Sequence, residues 1–303
     1  MNKYDHLTDK AFDLLSASKE ERIKYVNTDK WIEYPRAKEI MDRLDDLMLY
    51  PKTERMPNLL IAGRSNSGKS KLLSQWSKKF PVEVDEETSE INFPIVMISA
   101  PPKPDDKAFF MRVLRELMIP HAKNDSTSTL YEKAIRTMIA RNTKMLIIDE
   151  IQHAIAGSYV SQTVFLDTIK DMGNNLQIPI VAAGVEDAFH ALQINDQLSN
   201  RFPVEVLEQW QFDNRESRRA FAQLVLTVES MLPLPEPSYL YKMPFVERIH
   251  FLSDGLLGEV VGVIRTLARY AIKHDLPCID ESVFANVNLS PPSQRKEALK
   301  KLR

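Results

Sequence analysis

The sequence has little cysteine, little glycine and no excess of either charge. Its one cysteine, Cys278, has no partner for an intramolecular disulfide, and no Cys/His spacing suits a zinc site. A reducing, cytoplasmic setting is therefore expected. No run approaches the ~18 apolar residues of a membrane helix, so no membrane partner is expected. The opening Met1-Asn2-Lys3-Tyr4-Asp5-His6 lacks the apolar core of a secretory signal. With 40 basic residues against 42 acidic ones, the chain is not a polycation. Any nucleic-acid binding must come from a local patch or from many copies acting together. Eight glycines against 18 prolines leave no flexible linker, and no internal repeat is visible.

What is present is enough apolar material, 44% of 303 residues, for a sizeable core and about two domains. The pattern divides the chain into four. Residues 1–55 read as a helical extension of mixed charge, with Ile40, Leu44, Leu47 and Met48 at helical spacing. Residues 56–213 alternate short apolar runs with amphipathic stretches. The runs are 58–63, 94–99, 145–148, 179–183 and 204–207. Continuous apolar strands separated by helices predict a parallel sheet covered on both faces. The acidic run 83–90 reads as a solvated loop. Residues 214–288 form a helical lid without strands, interrupted by Pro233, Pro235 and Pro237. Residues 289–303 form a short basic tail, read as solvated and frayed.

The first apolar run enters Gly63-Arg64-Ser65-Asn66-Ser67-Gly68-Lys69-Ser70, which matches G-x-x-x-x-G-K-[ST]. Roughly one unrelated chain of this length in a hundred carries the pattern by chance, but here a strand precedes it and an amphipathic helix follows. Gly63 and Gly68 let the backbone curl so that successive N–H groups point at one phosphate. The helix adds its positive N-terminal end. Lys69 reaches the β- and γ-phosphates, the Ser70 hydroxyl takes Mg²⁺, and residues 63–70 with Lys71 make up the expected ATP site.

A second apolar strand ends in Asp149-Glu150. Asp149 falls at the carboxyl end of its strand, where ligands bind in parallel sheets, and would complete the Mg²⁺ shell. Glu150 is placed to accept a proton from attacking water. One strand intervenes between the loop and this pair, which marks the P-loop class with a catalytic glutamate. The expected fold is a five-stranded parallel sheet of order 5-1-4-3-2. Ahead of the fifth strand, Leu198-Ser199-Asn200-Arg201-Phe202 carries an arginine. In ring- or filament-forming P-loop ATPases an arginine there enters the neighbour's nucleotide site and neutralises charge on the transferred phosphoryl group.

At these residues the chain resembles the TniB family, AAA+ ATPases of bacterial transposons related to the TnsC and MuB target-selection proteins. The resemblance rests on Arg55-Met56-Pro57-Asn58-Leu59-Leu60-Ile61 with the glycine loop, on Trp31-Ile32-Glu33-Tyr34-Pro35, and on Leu146-Ile147-Ile148-Asp149-Glu150-Ile151-Gln152-His153. Ile178-Pro179-Ile180-Val181 and the Leu198–Phe202 box extend it over roughly residues 25–275. It implies an ATP-dependent regulator of DNA transposition that assembles on double-stranded DNA as a homo-oligomeric ring or filament. Such a protein recruits or stimulates a DDE transposase, and some members meet a TniQ-type adaptor. Filament-type relatives line their channel with loops after the second strand. Here those loops carry Lys103, between prolines, and Lys123, which the resemblance therefore implies as DNA contacts.

Two positions depart from the AAA+ pattern. Ala183-Gly184-Val185-Glu186 has no Asn or Thr where a sensor side chain often follows the fourth strand. Arg265 comes seven residues after Gly258, further than a second sensor usually lies. Two other readings stay open: a nucleotide-gated assembly scaffold with little turnover, and a signalling or loader ATPase without DNA contact.

Overall fold

The structure, a computed structural model, describes residues 4–88, 90–154, 158–186 and 202–301. These fall into two compact units, 35–207 and 1–34 with 208–303.

The first unit is an α/β layer structure. Its sheet strands are β1 (Leu59–Gly63), β4 (Ile95–Ser99), β5 (Met145–Asp149), β6 (Ile180–Gly184) and β7 (Val204–Leu207). They lie in the order β4-β5-β6-β1-β7 and every pairing is parallel. Counted within this sheet alone and read from the β7 edge, that is the expected 5-1-4-3-2. Strands β1, β5 and β6 are buried along their whole length, which is why they read as unbroken apolar runs. The registers Ala62↔Gly184 and Ile148↔Ala182 bring the carboxyl ends of the three central strands to one rim. The buried Asn58 side chain accepts the Ile180 N–H at 2.9 Å, tying β6 to the segment just before β1.

Helices α3 (Pro35–Met48), α4 (Lys69–Ser77), α5 (Asp106–Glu116), α6 (Thr127–Ala140), α7 (Ile151–Ala154) and α8 (Tyr159–Leu176) complete this unit. Phe109, Phe110, Leu130, Met138 and Phe165 fill the core above the sheet with Leu146 and Ile148. Helix α3 buries Ile40, Leu44 and Leu47. Its Asp45 accepts Trp76 Nε1 and Lys79 Nζ, each at 2.7 Å, fixing it to the α4 segment. Arg36 at its start donates to the Val206 carbonyl at 3.0 Å and to Glu205 at 2.7 Å on the edge strand β7. The acidic run is not a plain loop. Strands β2 (Glu83–Val84) and β3 (Ile91–Asn92) pair antiparallel, and Asp85 Oδ1 accepts the Glu87 and Thr88 N–H groups at the turn.

The second unit is helical: α1 (Asp9–Asp13), α2 (Lys19–Asn27), α9 (Arg215–Glu229), α10 (Phe245–Ser253), α11 (Leu257–Lys273), α12 (Glu281–Asn286) and α13 (Pro292–Lys300). Ser18 and Glu21 close a reciprocal cap on α2. Val26 and Ile32 share a core with Phe221, Val225, Ile249, Ile264 and Leu267. The segment after Pro233 is held by one buried acid: Glu229 accepts the backbone N–H groups of Ser238, Tyr239 and Leu240, each at 2.8 Å. Burial pushes the Glu229 carboxyl above the usual range, and the three N–H donors oppose that.

The compact units divide the chain at 34/35 and 207/208. The apolar stripe of α3 packs on α4 and β7, whereas α2 packs on α11. The basic tail is a helix up to Lys300, anchored by Ser293 on Asp254 and Arg295 on Glu259.

Candidate nucleotide site

Strand β1 runs into the glycine loop at the rim. A Cβ on Gly63 would lie 2.7 Å from the Leu207 carbonyl and 2.9 Å from Ser67 Oγ, so only glycine fits this close approach. Asn66 (φ 65°) and Gly68 (φ 98°) are left-handed, and these two reversals curl the loop into a concave nest. Gly68 is also the N-cap of α4, whose Leu72, Leu73 and Trp76 are buried beneath. Arg64 and Lys71 are half-buried, Ser65 and Ser70 are exposed, and Ser67 is buried.

Lys69 is buried, with its Nζ donating to the Gly63 and Arg64 carbonyls at 2.8 and 3.0 Å and to Ser67 Oγ at 3.4 Å. Burial holds its pKa below the ordinary lysine value, while the charges of Glu150 and Asp149 pull it up. The ammonium therefore feels both carboxylates at the end of β5, one strand beyond β6. Asp149 is buried at the end of β5 and accepts the Glu150 N–H on Oδ1 at 2.9 Å. Glu150 is itself left-handed, at φ 55°. Its Oε2 accepts a hydrogen bond from Gln152 Nε2, and Gln152 Oε1 accepts the Val185 N–H at 3.2 Å. Sequence reasoning passed over Gln152. Only the strand order, which sets β6 beside β5, makes it a neighbour of Glu150 and Val185 at once.

The donor set suits a magnesium nucleotide. A basic, backbone-lined nest faces phosphate chemistry, and the Ser70 hydroxyl and Asp149 are hard oxygen ligands of the kind Mg²⁺ takes one or two at a time. Among the described residues no cluster of three or more His, Cys, Asp or Glu forms a self-sufficient metal cage. A groove of about 490 Å³ lies elsewhere, beside Asp106, Tyr131, Asp167 and Asp171. Its carboxylates repel phosphate, so volume is a poor guide here.

Lys103 and Lys123 are both exposed. Arg112 donates to the Ser99 and Ala100 carbonyls at 2.8 and 3.0 Å, fixing the start of the Lys103 loop. Lys107, in the first turn of α5, donates to the Lys123 carbonyl at 2.9 Å, and Lys133 to the Pro120 carbonyl at 2.5 Å. The two loops thus meet at the N-terminal end of α5, and Lys107 is a third cation there that the sequence pattern did not mark. Arg201 lies outside the described residues, as does most of its box. Phe202, next to it, is buried in the α/β core. Arg265 belongs to the helical unit, where it donates to the Thr28 carbonyl at 2.7 Å and to Asp29 at 3.4 Å.

No helix among the described residues is long and apolar enough to cross a membrane. No curated protein matches the sequence. Among solved structures, the ORC2 protein of Aeropyrum pernix in ADPNP–ADP complexes matches with TM-score 0.59 at 12% identity, over 86% of this chain and 69% of that one. The Aeropyrum pernix ORC1 protein in complex with DNA gives 0.60 at 11%, over 87% and 68%. Cdc6p of Pyrobaculum aerophilum gives 0.59 at 16%, over 84% and 67%. At such identities the likeness carries the fold alone, that of the AAA+ P-loop ATPases. The sequence family described as "Bacterial TniB protein" matches residues 22–212. That is well over half of the chain, and with the glycine loop and the Asp149–Glu150 strand end both inside it, the chain belongs to the TniB family.

Proposed function

We propose that this chain is an ATP-hydrolysing regulator of DNA transposition. The observation that carries the reading is the convergence of the glycine loop, Lys69 and the Asp149–Glu150 pair at one rim of the sheet, within a TniB chain. Residues 63–71 take the phosphates, with Lys69 turning from the loop carbonyls to the β- and γ-oxygens. Ser70 and Asp149 would hold Mg²⁺, which neutralises phosphate charge when bound. Glu150 accepts the proton of the attacking water. Arg201 serves the site of an adjacent copy in a ring or filament on double-stranded DNA. Lys103 and Lys123 contact the DNA backbone, and the assembly recruits or stimulates a DDE transposase, with a TniQ-type adaptor as a further partner. An Orc protein solved with DNA on a similar fold is consistent with that use.

A scaffold with little turnover is the second reading. It is favoured by the apolar Ala183–Val185 and by Arg265 being engaged with Thr28 and Asp29.

The test is steady-state phosphate release with and without duplex DNA, beside a salt titration of DNA binding in ATP. Turnover that Glu150→Gln lowers by ~10²–10⁴-fold, with ATP and DNA binding kept, is the expected result. Wild-type turnover in that variant removes Glu150 from the mechanism. ATP-dependent assembly without release selects the scaffold, and the absence of any salt-dependent DNA shift selects a loader without DNA contact.

A further inference from the structure

Resting on the hydrolysis proposed above, we infer that Gln152 is a positioning residue for Glu150 and supplies through its side-chain amide the strand-sensing contact that Ala183–Glu186 lacks.

Three observations meet at this amide. Glu150 sits in the left-handed region at φ 55°, where a residue with a Cβ is held only by its surroundings. Its carboxylate accepts from Gln152 Nε2. The other end of the same amide, Oε1, accepts the N–H of Val185, the residue just past β6, at 3.2 Å. Strand β6 is paired on one side with β5, which carries Asp149, and on the other with β1, which enters the glycine loop. The amide therefore spans from the general base to the strand lying between the two halves of the site.

The chemistry fixes its direction. Reversing the amide would set NH₂ against the Val185 N–H and oxygen against the carboxylate, two mismatches at once. Glutamine is long enough to reach both groups and offers one donor and one acceptor. Alanine offers neither, and glutamate loses the donor whenever it is ionised. A polar sensor side chain is unnecessary on β6 because the backbone N–H at its end is read instead. A shift of β6 moves Oε1 and, through the rigid amide plane, the group that aims Glu150.

The experiment compares full-length wild type, Gln152→Ala and Gln152→Glu in DNA-stimulated phosphate release, with fluorescent-ATP affinity and thermal unfolding measured alongside. Gln152→Ala should lower kcat on the order of 10-fold, the loss of one orienting hydrogen bond at the base, while KM, nucleotide affinity and Tm stay near wild type. Gln152→Glu should be as slow at pH 8 and recover relative to wild type as pH falls toward 5, because two facing carboxylates come to share one proton and the introduced carboxyl regains a hydrogen to donate. Unchanged kcat in Gln152→Ala overturns the inference. So does a loss of Tm or ATP affinity matching the loss of kcat, which makes Gln152 structural, or a pH-independent deficit in Gln152→Glu. If wild type itself releases no more phosphate than Lys69→Ala, the hydrolysis reading falls and this inference with it. An active wild type with an unmoved Gln152→Ala removes this inference alone.

Discussion

Each unit buries a charged side chain, and the two charges are satisfied in opposite ways. In the α/β unit Lys69 donates to two loop carbonyls and a hydroxyl, and it feels two carboxylates at the end of β5. All those oxygens belong to residues of one rim, and an ammonium on a flexible stem exchanges one oxygen for another at little cost. In the helical unit both oxygens of Glu229 are engaged by three consecutive backbone N–H groups of its own unit. Burying a charge is costly in both cases. The lesson is that burial alone does not mark function. Groups of opposite sign brought to one strand rim from distant parts of the chain do.

The comparison can be broken most forcefully at Arg201. Arg201→Ala should bind ATP normally and lose ~10³–10⁵ in rate if it acts in a neighbour's site. Mixing it with Lys69→Ala should partly restore phosphate release, because some interfaces then pair an intact loop with an intact arginine. Co-sedimentation on DNA must first establish that the chains co-assemble. A co-assembled mixture no more active than the sum of its parts removes the trans role.

A crossed pair sharpens the comparison directly. Lys69→Ala should weaken fluorescent-ATP binding by ~10²-fold or more, about 2.7 kcal/mol, and leave Tm nearly unchanged. Glu229→Ala should do the reverse. Three N–H groups lose their acceptor, the two buried ones (Ser238 and Leu240) at ~1–3 kcal/mol each, so the helical unit should melt several degrees lower. Equal effects of both variants on both measurements would erase the distinction.

Much of the α/β unit was legible in the sequence because its strands are buried on both faces and its loop must carry a glycine at position 63, where it approaches Leu207. The strand order followed from the number of strands between Lys69 and Asp149. Other features were hidden. The β2–β3 hairpin is only two residues a side and fully polar at its turn, so no alternation betrays it. The α13 helix carries no buried residue, and its anchors Ser293 and Arg295 find partners far back in the chain. The assignment of α3 to the α/β unit depends on Asp45 and Arg36 meeting residues 31 to 170 positions away. Gln152 is a helix-start polar residue like many others until β6 is placed beside it.

Smaller effects test the rims. Lys103→Ala should weaken DNA binding about equally across sequences and flatten the salt slope by about one. Lys107→Ala should act mainly through the Lys123 loop that it holds. Unchanged assembly on DNA at moderate salt for Lys103→Ala removes that loop from the interface. In the helical unit, burial first, and then the charge of Arg265, lower Lys30 from 10.5 to about 8. An unfolded lysine keeps its proton up to 10.5, so the unfolded state holds more protons between pH 8 and 10.5 and stability rises with pH there. Thermal melts of wild type minus Lys30→Gln across that window should show a small gain toward high pH, and none if Lys30 titrates normally.

Arg36 has a consequence for crowding. Strand β7 is a sheet edge, and an edge with open carbonyls is a template on which a second sheet can grow. One guanidinium closes the Val206 carbonyl and pins Glu205, while Glu39 holds its third nitrogen at 3.0 Å. A chain proposed to stack many copies along DNA meets itself at high local concentration, where a sticky edge would divert ordered stacking into amorphous precipitate. By blunting that edge, Arg36 would leave the copies to join through faces that nucleotide can regulate.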